Sequence, residues 1–130
     1  EDCIIHSKRN SYVTAASTPK EAKYGYVFKH CKLTAEPGVD KVYLGRPWRP
    51  YAYTLFIECE LGKHIVLAGW HNWGKQSNEE TARYMEYKNT GEGANASERV
   101  AWSKQLTKKE AEAVTVDAIF RTQSDWNPID

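Results

Sequence analysis

Arg46 is the residue of this chain best equipped for chemistry at a site. It stands in the run Tyr43-Leu44-Gly45-Arg46-Pro47-Trp48. A guanidinium stays charged throughout the physiological range and offers two parallel N–H donors to a carboxylate. Placed beside an aspartate, it lowers the acid's pKa by about 1–3 units and keeps it ionised as a nucleophile. Taken without its neighbours, Arg46 serves equally well in a surface ion pair. Trp48 and Trp73 have faces broad enough to act as apolar platforms, and core packing is the competing role for each. Trp70 reads as structural, and Tyr12, Tyr51 and Tyr53 fit strand packing at least as well as a cleft.

Other chemistries find little support. Asp40 sits in a Pro-Gly turn and Asp117 in a helix-like C-terminal stretch, neither in a nucleophile's context. No Gly-x-Ser-x-Gly elbow is present, so serine esterase chemistry is unsupported. His6 and Ser7 are adjacent, and neighbours on a strand face opposite sides, so they make no dyad. His6, His30, His64 and His71 lack metal-ligand spacing, and the three cysteines contain no Cys-x-x-Cys pair, so neither a metal nor a cofactor is expected. Lys plus Arg number 18 and Asp plus Glu 17, a balance that leaves no footprint for nucleic acid or an anionic membrane. No apolar run approaches the roughly 18–20 residues of a membrane span.

The positioning elements show first in the cysteines. Cys3, Cys31 and Cys59 are spaced 28 residues apart, each preceded by a polar residue and followed two positions later by Ile or Leu. A fixed period of this size marks stacked repeats, with equivalent side chains forming ladders about 4.8 Å apart. Cysteine would be a small buried ladder residue, its thiol free. Strands are expected over Tyr24–Leu33, Tyr53–Cys59, His64–Ala68 and Arg83–Lys88, with turns at 18–21, 36–40, 75–80 and 91–95. Glu1-Asp2-Cys3-Ile4-Ile5 reads as a strand entered partway, not as a signal peptide, and suggests a piece of a longer chain. From Thr107 the pattern turns helical: Thr107-Lys108-Lys109-Glu110 is a capping box, predicting helices near 107–113 and 115–120. The division expected is residues 1–106 as coils and 107–130 as a cap, with Trp126-Asn127-Pro128 packed over the body.

Four ordered segments resemble the pectin methylesterase family. Leu44-Gly45-Arg46-Pro47-Trp48 is similar to its Leu-Gly-Arg-Pro-Trp signature. Asn10 to Ala16 resembles its Asn…Ile/Val-Thr-Ala strand, and Ala68-Gly69-Trp70-His71-Asn72-Trp73 its Gly-Trp…Trp loop. Tyr84 to Ala94 resembles its Tyr-x-Glu-Tyr-x-Asn-x-Gly-x-Gly-Ala segment, with Glu92 where proline is usual, and Arg99-Val100-Ala101-Trp102 follows.

That resemblance implies an all-β, right-handed parallel β-helix, here its C-terminal coils with a short helical cap. It implies hydrolysis of methyl esters of polygalacturonate by one Asp as nucleophile and a second as general acid, then base. Arg46 would hold the nucleophilic Asp, and Trp48 and Trp73 would contact the sugar. The motifs that carry those acids, Gln-Asp-Thr and Asp-Phe-Ile-Phe-Gly, are absent from these 130 residues, so the chain alone is expected to be inactive. Its implied partners are pectin and the missing N-terminal half of the β-helix, and its implied location is extracellular or periplasmic. Two other readings stay open: a non-catalytic pectin-binding module, and a self-associating domain whose exposed coil end pairs with another copy.

Overall fold

The computed structural model describes residues 1–121. Among them nine strands wind into stacked parallel rungs: β1 (Ile4–Ser7), β2 (Tyr12–Ala16), β3 (Tyr26–Lys29), β4 (Lys32–Ala35), β5 (Tyr43–Pro47), β6 (Tyr53–Ile57), β7 (Glu60–Leu61), β8 (Arg83–Tyr87) and β9 (Lys104–Gln105). They pair, all in parallel, as β1-β4-β7, β2-β5 and β3-β6-β8-β9. This is a parallel β-helix of about three turns, the architecture the cysteine period implied. Ile4 pairs with Lys32, Lys32 with Glu60 and Tyr26 with Thr54, so the register reproduces the 28-residue spacing.

Every rung turns a corner at one equivalent position. Asp2, His30, Glu58 and Lys88 all adopt positive φ, at 54°, 56°, 48° and 46°. Each such residue costs roughly 1–2 kcal/mol outside glycine, so the stacked rungs on either side must hold it. The corner splits two expected strands. Tyr24–Leu33 becomes β3 and β4, and Tyr53–Cys59 becomes β6 with β7 beyond it. Outside the corner the His30 ring lies 3.2 Å from the Glu58 carboxylate and 3.9 Å from that of Asp2.

Just after each corner stands the ladder residue: Cys3, Cys31, Cys59, then Asn89. Cys31 and Cys59 are buried free thiols, and burial pushes the Cys59 thiol up to about 11, leaving it inert. Cys3 departs from the expected buried ladder, since it is exposed on the first rung. Asn89 replaces a fourth cysteine and accepts the Cys59 backbone N–H at 2.9 Å.

Inside the coil lie Leu33, Leu44, Phe56, Leu61, Trp70 and Tyr84. Phe28 stacks on Phe56 at 4.6 Å across one rung, and Trp70 stacks on Tyr84 at 4.2 Å. Fully burying such a side chain contributes about 1.5–3 kcal/mol. Strand β6 is buried along its whole length because both its faces are covered. Its inward Phe56 joins the coil interior, while Tyr53, Leu55 and Ile57 pack beneath Ala111, Val114 and Ile119.

Those last residues belong to α2 (Lys108–Glu112), α3 (Val116–Arg121) and their linker; α1 (Asn78–Thr81) is a single turn in the 75–80 segment. The capping box forms in full, Thr107 accepting from the Glu110 backbone and Glu110 from the Thr107 backbone. The described helices pack on the flank of the β3-β6-β8-β9 sheet, against residues of β3, β6 and β8. Trp126-Asn127-Pro128 lies outside the described residues.

The expected strand His64–Ala68 does not form. Its strand-like pairing among the described residues is an isolated bridge from Val42 to Ile65, with a second just beyond it from Gly45 to Trp70. Two turns interrupt the segment, the Ile65 N–H donating to the Gly62 carbonyl at 3.2 Å and the Gly69 N–H to the Val66 carbonyl at 3.0 Å, and the Arg99 guanidinium takes the Val66 and Leu67 carbonyls, both at 3.1 Å. Its remaining donors reach the Gly93 carbonyl at 2.6 Å and both oxygens of buried Glu86 at 2.9 and 3.1 Å.

Candidate functional site

The second sheet positions the candidate residues. Tyr12 on β2 pairs in register with Tyr43 on β5, and their rings stack at 5.4 Å. Ala15 pairs with Arg46, three residues beyond the tyrosine pair along the two strands. Gly45, before it, leaves space that no other residue could leave. A Cβ there would collide with the Thr14 hydroxyl and come within 3.1 Å of the Trp70 ring. Trp70 is therefore a wall under the site, 1% exposed, as its structural reading predicted.

Three aromatic rings surround the Arg46 guanidinium. Its Cζ lies 3.7 Å from the centre of the Trp73 ring, 5.2 Å from Trp48 and 5.3 Å from Tyr12. Contact with a ring centre engages the flat face of a guanidinium and leaves the N–H donors in its plane available to a carboxylate. Arg46 Nη1 is buried and has no hydrogen-bond partner among the described residues. Below it, the Tyr84 hydroxyl and the Trp70 indole N–H are likewise buried without partners there. Burial pushes the Tyr84 hydroxyl well above its ordinary range, while the nearby Arg46 charge pulls the other way. An unpaired buried donor costs about 1–3 kcal/mol, more when charged. Of the three, the Arg46 guanidinium is the charged donor, with the chemistry to bind a carboxylate.

Trp48 and Trp73 are 60% and 43% exposed, high values for indoles and suited to platforms facing solvent. Arg46, Trp48 and Trp73, dispersed in sequence, thus meet in one cluster. Tyr12 joins them, but Tyr51 and Tyr53 do not. Tyr51 lies under the Lys20 ammonium, while Tyr53 is buried beside Arg83 with its hydroxyl pushed up to about 12 by burial.

Two members escaped the sequence reading. Tyr43 belongs because it stacks on Tyr12; its signal was the 31-residue offset between them, which differs from the 28-residue cysteine period. His71 packs against both tyrosines in T-shaped contacts, with ring centres 5.7 and 5.1 Å apart. Among the described residues no group of three or more His, Cys, Asp or Glu could hold a metal ion.

The family model for pectinesterase matches residues 4–123, and the chain belongs to that family. It is 39% identical over 112 residues to pectinesterase 31 of Arabidopsis thaliana, covering 85% of this chain and 35% of that protein. Among solved structures it is similar to pectin methylesterase from carrot, with a TM-score of 0.80 and 30% identity over 92% of this chain and 42% of that one. A pectin methylesterase in complex with a hexasaccharide superposes with a TM-score of 0.78 at 27% identity, over 98% of this chain and 45% of the other. The chain thus spans less than half the length of each of these relatives.

Proposed function

We propose that this chain supplies the arginine clamp and aromatic platform of a pectin methylesterase site, and that the reacting carboxylates come from coils outside these 130 residues. The observation that carries this reading is the Arg46 guanidinium, its Cζ 3.7 Å from the centre of the Trp73 ring and its Nη1 buried without a hydrogen-bond partner among the described residues. The substrate is a methyl-esterified galacturonate chain, as the hexasaccharide complex of a relative supports. In the assembled site Arg46 binds an aspartate through its in-plane donors and keeps it ionised. That aspartate attacks the ester carbonyl, methanol leaves with a proton from a second aspartate, and water then hydrolyses the acyl intermediate. Trp48 and Trp73 offer flat apolar faces to the C–H side of a sugar ring. The family resemblance supports a location outside the cytoplasm, and no described helix is long and apolar enough to cross a membrane.

A pectin-binding role without hydrolysis draws on the same two exposed indoles. Titrating the chain with pectin oligomers, with and without Trp48→Ala, tests the platform common to both roles. Binding weakened by about tenfold supports it, since truncating a central aromatic anchor typically costs over 1 kcal/mol, and equal affinities refute it. Self-association rests on β1, β2 and β3, each paired on one side among the described residues. A monomer by light scattering at high concentration refutes that reading.

A further inference from the structure

We infer that His71 is a positioning residue: its imidazole holds Trp73 in the backbone conformation that lays the indole on Arg46. The inference rests on the reading of Arg46 and Trp73 as parts of a pectin site and adds a residue outside the platform itself.

Trp73 has φ of 59°, a left-handed conformation uncommon for any bulky side chain, and Gly74 follows at 72°. Such a conformation persists only where its surroundings over-determine it. Two consecutive side chains do so. The Trp73 backbone N–H donates to His71 Nδ1 at 2.9 Å, and the Gly74 N–H donates to Asn72 Oδ1 at 2.8 Å. Each is a local bond from a side chain to the backbone two residues on, the device by which Asn and Asp also support left-handed turns. Asn72 is anchored in turn, its amide donating to Glu79 at 2.8 Å and its carbonyl accepting from Asn78 at 3.0 Å.

The imidazole cannot swing freely, because it packs in T-shaped contacts against the stacked Tyr12–Tyr43 pair. As an acceptor, Nδ1 carries no proton, so the ring proton is on Nε2. The chain of contacts runs from the tyrosine ladder of β2 and β5 through His71 to the Trp73 backbone, and from the Trp73 indole to the Arg46 guanidinium 3.7 Å away. Without the His71 acceptor the left-handed residue loses one support, the indole leaves the guanidinium face, and the in-plane donors lose their fixed direction.

The test uses the whole 130-residue chain as wild type, His71→Asn and His71→Ala, with a galacturonate hexamer as probe. Asn places Oδ1 where Nδ1 stands and keeps the acceptor; Ala removes it. Calorimetry reads the affinity for the hexamer, and hydrogen exchange by NMR reads protection of the Trp73 amide. His71→Ala should lose that protection and bind about tenfold more weakly, the cost of lost pre-organisation, while His71→Asn stays close to wild type in both. If His71→Ala does not fold, His71→Phe, which keeps the ring packing without the acceptor, takes its place. Asn and Ala behaving alike in affinity, whether both strong or both weak, overturns the inference. So does loss of amide protection with unchanged affinity. If wild type fails to bind the hexamer, the platform reading falls, and the exchange series alone then decides whether His71 fixes Trp73.

Discussion

Replacing Arg99 by methionine removes the cation that pairs, among the described residues, with the buried Glu86 carboxylate. The Glu86 and Arg99 side chains are each 3% exposed and meet at 2.9 Å. Glu86 would keep neutral donors from Gln105 at 3.1 Å and Asn89 at 3.3 Å, and lose both charge-assisted bonds. The Leu67 and Gly93 carbonyls would lose this donor as well, while the Val66 carbonyl would keep the Gly69 N–H. Breaking a buried pair from one side costs about 3–5 kcal/mol. With an unfolding entropy of about 2.1 cal/mol/K per residue, 130 residues give roughly 0.27 kcal/mol/K, so the melting temperature should fall by roughly 11–18 °C. Glu86→Gln should cost less, because Arg99 keeps three carbonyl acceptors. In the double variant the loss should fall short of the sum, since the orphaned carboxylate is gone. Differential scanning calorimetry on the four proteins closes the cycle. A fall of under about 4 °C for Arg99→Met, equivalent to roughly 1 kcal/mol, or strict additivity, would refute the reasoning.

Gly45→Ala should destabilise the chain by about 1–3 kcal/mol by overpacking, because the new methyl meets the Thr14 hydroxyl and the Trp70 ring; a urea midpoint unchanged from wild type contradicts this. His64 is 3% exposed and burial lowers its pKa below the ordinary 6.5. Its neutral form is favoured by folding, so stability is full above about pH 6.5 and is lost as pH falls toward the lower folded-state value. Thermal melts from pH 7.5 to 5 should show a decline that His64→Phe flattens. Thr107→Ala removes half of the capping box and should cost about 1 kcal/mol, seen as earlier unfolding of the flank helices in native-state hydrogen exchange.

Much of the coil was legible because period and ladder are properties of residue type. Cysteine, small and apolar, recurs where neighbouring rungs crowd, and its spacing equals the pairing register of β1, β4 and β7. The capping box was equally plain, since its two bonds are made within four residues. The corners were not. Asp2, His30, Glu58 and Lys88 take left-handed conformations that glycine or asparagine would have advertised, and only tertiary stacking imposes them. Likewise His64–Ala68 has a strand's composition, and the guanidinium that claims two of its carbonyls comes from residue 99. At the site, the Gly-Arg-Pro-Trp run named Arg46 and Trp48, but the contacts of His71 and Tyr43 depend on two strands and a loop converging in space.

Methanol release from methyl-esterified pectin tests the Arg46 reading most directly. The substrate should be offered to this chain alone, and to the chain joined in one polypeptide to coils carrying Gln-Asp-Thr and Asp-Phe-Ile-Phe-Gly. The chain alone should release none, the joined protein should release methanol, and Arg46→Ala in it should lower the rate by about 100-fold or more, the usual loss when a site's electrostatic partner is removed. Methanol from the chain alone, or a joined protein indifferent to Arg46→Ala, would contradict it.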